Sequence, residues 1–183
     1  MATENKVQFG LRNVHYAVWN GTAYETPVAV PGAVNLTLDH EGETNKFYAD
    51  DIAYFVTNTN NGYSGDLEIA KIPDQMLQDI FGYKLTETDK VLQEDPDAVG
   101  ASFALMYQVA GDQHNTCFLL YSCTASLPAI GSQTKEETTE VRTQTITLTA
   151  VPRSDGKCFA KTTADTPSTV IENWFTSVYG AST

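Results

Sequence analysis

The chain is predicted to be mainly β: a β-sandwich or open barrel of two packed sheets, flanked by one short α-helix at about residues 73–81. Three observations predict this. Apolar residues recur at period two in one segment after another, the spacing of a half-buried strand. Turn-forming pairs such as Asn20-Gly21 and Gly111-Asp112 separate those segments. Only one stretch carries a clear helical stripe, and it is short.

Taken in order, Leu11 to Trp19 carries Val14, Tyr16 and Val18 at period two and reads as a strand that ends at Asn20-Gly21. Val30-Pro31-Gly32 marks a second turn. Val34, Leu36 and Leu38 then alternate with Asn35 and Thr37 as a half-buried strand. Asp39 to Lys46 is charged, contains Gly42 and lacks apolar periodicity, so it is expected to be an exposed loop. Ile52 to Val56 is a short apolar strand, and Thr57 to Gly62 is a turn cluster. Next, Asp66, Glu68 and Ala70 alternate with Leu67, Ile69 and Lys71, which sets two carboxylates on one face and apolar atoms on the other.

The helix opens at Pro73, which suits a first turn, with Asp74 near the positive end of the helix dipole. Met76, Leu77, Ile80 and Phe81 form its stripe, and Gly82 suits a left-handed stop. After an acidic linker from Glu87 to Gly100, Phe103 to Val109 reads as a strand buried on both faces. Cys117 to Leu127 is another strand, and Gly131 to Glu140 a polar loop. Arg142 to Val151 has the cleanest alternation: Thr143, Thr145, Thr147 and Thr149 oppose Ile146, Leu148 and Ala150. The Ser154-Asp155-Gly156 turn follows. Near the C-terminus, Thr169 and Glu172 have capping-box spacing ahead of Trp174, Phe175 and Val178, which fits a short helix or an extended docking segment.

With 183 residues, a single domain spanning 1–183 is expected, large enough for a real core. The formal net charge is −12, which excludes a phosphate-neutralising nucleic-acid patch. The acidity is uneven: Asp39 to Asp97 holds fourteen carboxylates against four cations. Such a stretch must face water, a channel or a basic partner. Cys117, Cys123 and Cys158 show no disulfide or metal pattern and read as small core residues. Cys117 and Cys123 are six apart, so on a regular strand they share a face. No leader peptide and no membrane segment are expected.

Catalytic signatures are missing. The histidines His15, His40 and His114 have no zinc-ligand spacing, and His40 with Glu41 and Glu43 reads as a solvated charged run. There is neither a nucleophile elbow nor a Walker loop, and Gly62-Tyr63-Ser64-Gly65 reads as a turn entering a strand. A non-enzymatic protein without a cofactor or metal is expected.

Across nearly its full length the chain resembles the major tail protein family of long, flexible-tailed bacteriophages of Gram-positive bacteria. The resemblance is carried by Phe9 to Ala17, Val30 to Val34, Asp39 to Thr44 with Phe47 to Asp50, Asn60 to Ala70 and Ile72 to Asp74. It continues in Leu120 to Ser126, Thr134-Lys135 with Glu137, Thr145 to Ala150, Pro152 to Gly156 and Lys161 to Asp165. No one of these is chemically diagnostic; their order and extent make the match.

The resemblance implies a tail-tube subunit forming hexameric rings that stack into a tube. Its partners would be itself and other tail proteins such as the tape measure and the tail terminator. It would be located in the virion tail after assembly in the host cytoplasm, with no membrane association. DNA would pass without specific binding, because an acidic bore repels phosphates. Asp66 and Glu68, and secondly Thr143, Thr145, Thr147 and Thr149, are the candidate bore-facing residues. Asp39, Glu41, Glu43, Lys46, Asp50 and Asp51 form a candidate loop between subunits or rings, expected to order on assembly. The additional immunoglobulin-like domain of some relatives is not expected. Competing readings are the tube protein of a phage-tail-like bacteriocin, a monomeric β-sandwich carbohydrate or peptide binder using Tyr16, Trp19 and Tyr24, and a hydrolase.

Overall fold

The computed structural model describes residues 8–111, 114–132 and 142–181. Most of the expected polar loop at 131–140, and with it Thr134, Lys135 and Glu137, lies outside the described residues, as does Asp112 of the Gly111-Asp112 turn. The molecule is mainly β with short helices, as expected. Its main sheet has eight strands, with adjacent strands antiparallel, in the order β2-β1-β9-β10-β11-β6-β3, and β12 lies beside β10. The strands are β1 Leu11–Val18, β2 Val28–Ala29, β3 Ala33–Glu41, β6 Gly62–Ile69, β9 Phe103–Val109, β10 Cys117–Ala125, β11 Gln144–Val151 and β12 Phe159–Lys161. Two small hairpins stand apart, β4 Thr44–Ala49 with β5 Ile52–Asn58, and β7 Lys84–Leu85 with β8 Leu92–Gln93.

The sheet curls so that its two halves face each other over one core. Val14 and Tyr16 of β1, Phe103 and Leu105 of β9, Leu67 and Ile69 of β6, and Ile146 and Leu148 of β11 meet there. The ends of the sheet converge, with β3 returning beside β1, and the Val30 amide, donating to the Val14 carbonyl at 2.7 Å, prolongs the β1–β2 pairing toward it. Helix α1, Asp74–Phe81, starts after Pro73 and stops at Gly82, whose φ of 72° is the left-handed stop anticipated for it. It buries Met76, Ile80 and Phe81 in the same core.

A second core lies on the opposite side of β1, β9 and β10. Ala17, Ala104, Met106, Leu119 and Tyr121 are covered there by Trp174 and Val178 of the C-terminal segment. This segment contains the five-residue helix α2, Ser168–Glu172, which starts after Pro167 without a side-chain cap, so the expected capping box does not form. Phe103 to Val109 is thus buried on both faces, as expected from a run whose one polar residue is Gln108.

The three cysteines are buried, but Cys117 and Cys123 do not share a face. Cys117 belongs to the second core and Cys123 to the first. The pairing of β10 with β9 slips between Leu120 and Cys123, and a bulge of this kind inverts the parity of every later side chain. The expected loop from Asp39 to Lys46 is also largely strand: β3 runs on to Glu41 and β4 begins at Thr44. Period-two alternation signals a strand only when one face is buried. Here both faces are in solvent, so charge could occupy every position.

Candidate functional site

The alternation of β3, β6 and β11 turns their apolar side chains toward the first core and their polar ones outward. Register places the polar residues in rows: Asn35, Glu68 and Thr145; then Thr37, Asp66 and Thr147; then Asp39, Ser64 and Thr149. Thr124 of β10 extends the last row. The threonine row of β11 and the carboxylates of β6 were separate candidates in the sequence, and the structure brings them onto one face. Thr147 Oγ1 donates to Asp66 Oδ1 at 2.7 Å, and Thr143 Oγ1 donates to Glu68 Oε1. Donated hydroxyl hydrogens hold these carboxylates in fixed positions without neutralising them. The face contains no lysine or arginine in any of these rows. Sequence reasoning missed Asn35, Thr37, Ser64 and Thr124 as members, although the alternation at Asn35 and Thr37 was visible.

Beyond this face the β3–β6 ladder continues into a projecting arm. The Asn61 amide donates to the Glu41 carbonyl at 2.8 Å and the Thr59 amide to the Glu43 carbonyl at 2.9 Å. β4 and β5 pair beyond them and turn at Asp50 and Asp51, whose φ values of 52° and 61° are those of a type I′ hairpin turn. The six residues proposed as an inter-subunit loop are therefore distributed along one hairpin: Asp39 and Glu41 at its base on the polar face, Glu43 and Lys46 along its shaft, Asp50 and Asp51 at its tip. The shaft also exposes Phe47, Tyr48, Ile52, Tyr54, Phe55 and Val56, each at least 49% accessible. Sequence reasoning took Ile52 to Val56 as an apolar strand but carried no sign that the main sheet does not cover it.

The aromatics weighed for ligand binding separate. Tyr16 is fully buried and touches no solvent, so it contacts no ligand. Trp19 and Tyr24 pack together at 4.8 Å and line a pocket of about 140 Å3 with Ser102, Ser122 and Arg153. Arg153 is already engaged by Asp155, by the Gly180 carbonyl at 3.0 Å and by the Tyr121 ring at 4.9 Å. This pairing holds Asp155 well below the usual carboxylate range, with the Arg153 hydrogen bond the largest cause. The His40 ring packs edge-on against Tyr63 at 5.5 Å, and His15 lies 4.7 Å from Phe175. Among the described residues no group of three or more His, Cys, Asp or Glu is arranged to hold a metal. No helix among them is long and apolar enough to cross a membrane.

No protein-family model matches the chain, and no curated relative matches it. Among solved structures it is similar to a chain in the cryo-EM structure of the anti-feeding prophage baseplate, 6-fold symmetrised, at 9% identity and a TM-score of 0.50. The likeness covers 91% of this chain and 100% of that one. At that identity, what the two chains share is the fold.

Proposed function

We propose that the chain is a structural, non-catalytic subunit of a phage-tail-type tube, assembled from stacked rings and lined by the polar face of β3, β6 and β11. The observation that carries this reading is the pairing of that uncovered, cation-free face with a projecting arm whose aromatics lie in water. A monomer rarely leaves so large an apolar patch exposed. A second copy would bury the arm, and closure of the sheets into a ring would remove the free edge of β3. Turned inward, Asp39, Asp66 and Glu68 would present fixed negative charge to a bore, and a phosphate backbone slides past such a wall without adhering.

Sixfold rings are the ring size of this reading. The fold-level neighbour belongs to a 6-fold symmetrised baseplate, which favours a tail-like particle. That neighbour equally suits the tube of a bacteriocin-like particle that carries no DNA, and this is the second reading.

Negative-stain microscopy of the concentrated protein is expected to show rings or tubes; a persistent monomer under all conditions would refute the proposal. Asp66→Lys with Glu68→Lys, introduced into assembled phage particles, is expected to slow DNA ejection while leaving tube length unchanged. Unchanged ejection would remove these residues from the bore.

A further inference from the structure

We propose that Asn20 is a site of spontaneous modification, where the side-chain amide is lost and aspartate and isoaspartate form at the turn after β1. The proposal goes beyond the tube reading and does not depend on it. The chain holds two Asn-Gly pairs, Asn20-Gly21 and Asn61-Gly62, and one Asp-Gly pair, Asp155-Gly156. In such pairs the backbone nitrogen of the glycine can close a ring on the preceding side chain, because no Cβ stands in the way.

The Gly21 nitrogen attacks Asn20 Cγ and forms an N–C bond. The Cγ–Nδ2 bond breaks, and ammonia leaves with the proton that Gly21 gives up. Water then opens the succinimide. Addition at the side-chain carbonyl gives aspartate, and addition at the main-chain carbonyl gives isoaspartate, whose backbone runs one methylene longer.

The fold treats the three pairs differently. Asn20 is exposed, and its Oδ1 accepts from the Thr22 amide at 3.0 Å and from the Ala23 amide at 2.9 Å. These donors are placed to receive the negative charge that gathers on Oδ1 during the attack, as in an oxyanion hole. Folding the side chain over its own turn also sets Cγ beside the Gly21 nitrogen. Among the described residues the Gly21 amide has no acceptor, and no atom beyond its chain neighbours lies within 4 Å of where a Cβ would stand. At the second pair the attacking nitrogen is occupied, because the Gly62 amide donates to Asn60 Oδ1 at 3.0 Å. Gly62 is also buried at the start of β6, where a Cβ would lie 1.9 Å from the Ala150 carbonyl oxygen, so it has no room to swing onto Asn61. At the third pair the Gly156 amide donates to the Arg153 carbonyl at 2.8 Å, and Arg153 keeps the Asp155 carboxyl in its ionised form, which resists attack. The change at Asn20 adds a negative charge to an exposed turn. Isoaspartate also lengthens the turn that the Asn20 amide closes on the Ala23 carbonyl at 3.1 Å, next to the paired Trp19 and Tyr24.

Peptide mapping by mass spectrometry of the folded, unassembled chain, incubated at neutral pH, tests this, with isoaspartyl methyltransferase labelling to read the second product. Residue 20 is expected to convert at least about tenfold faster than residue 61, because Asn61 reacts only in molecules whose β6 end has opened. In urea-unfolded chain the two sites are expected to convert at similar rates, with Asn20 no faster there than in the folded protein. Equal rates at the two sites in the folded chain, an Asn20 that stays intact, or an Asn20 that converts faster unfolded than folded would each overturn the proposal. None of these results bears on the tube reading, which stands or falls on assembly.

Discussion

Tyr16 shows what a single side chain contributes here. It is fully buried on β1, and its hydroxyl donates to Asp79 Oδ2 of α1 at 2.7 Å, so one bond ties the helix to the sheet. Burial first, and the Asp79 carboxylate second, raise its ionisation far above the ordinary tyrosine range. Tyr107, stacked on Phe118 with ring centres 4.9 Å apart, is pushed up by burial to about 12. A raised acid binds its proton more tightly in the folded state than in the unfolded chain. The associated stability is present below the unfolded value of about 10 and is lost as pH climbs from there through the folded value. Alkaline unfolding followed by circular dichroism should therefore steepen above pH 10, and Tyr107→Phe should flatten it between 10 and 12; an unchanged slope would contradict the assignment. At neutral pH, Tyr16→Phe is expected to cost about 1–2 kcal/mol in urea denaturation, from the lost bond and the partner left behind.

At the scale of elements, two of the departures from regular strand geometry shape the packing most. The slip in β10 sends Cys117 and Cys123 into different cores, although their even spacing would put them on one face of a regular strand. In β6, a Cβ at Gly65 would lie 1.9 Å from the Thr37 carbonyl oxygen, so β3 and β6 approach there only because the side chain is absent. Gly65→Ala is expected to destabilise the fold by about 3 kcal/mol or more, since backbone has to move to admit the methyl. Equilibrium denaturation measures it, and a near-neutral effect would mean the strands do not approach so closely. The arm is the opposite case. A lone two-stranded hairpin is marginal in water, and this one persists as an extension of the β3–β6 ladder.

At the scale of the molecule, the main sheet buries both faces over β1, β9 and β10, but only one over β3, β6 and β11. The C-terminal segment decides where cover stops. Trp174, 3% exposed, stacks on Tyr179 at 5.5 Å and donates to the Phe118 carbonyl at 3.4 Å, while Arg153 holds Gly180. Trp174→Ala is expected to cost about 3–5 kcal/mol and to make residues 167–181 the first site of proteolysis. Equal protease resistance would show that other contacts hold the segment. Assembly belongs to this scale as well, because the uncovered half is the part left for a neighbour.

Much of this architecture is legible in the sequence. Local periodicity marked the main strands, the helix with its proline start and glycine stop, and the polar and apolar sides of β6 and β11, because each depends on residues two to four apart. Only the tertiary structure decided which polar rows adjoin, since Thr147 and Asp66 meet through a pairing that no local pattern encodes. The same holds for the arm: charge and aromatics at every position conceal a strand that has no buried face. It holds for the cysteines too, because one slipped residue inverts the parity that spacing alone assigns. What the sequence determined by itself is an acidic β protein with alternating faces; which face is covered, and which is left for a partner, depends on contacts between residues far apart in the chain.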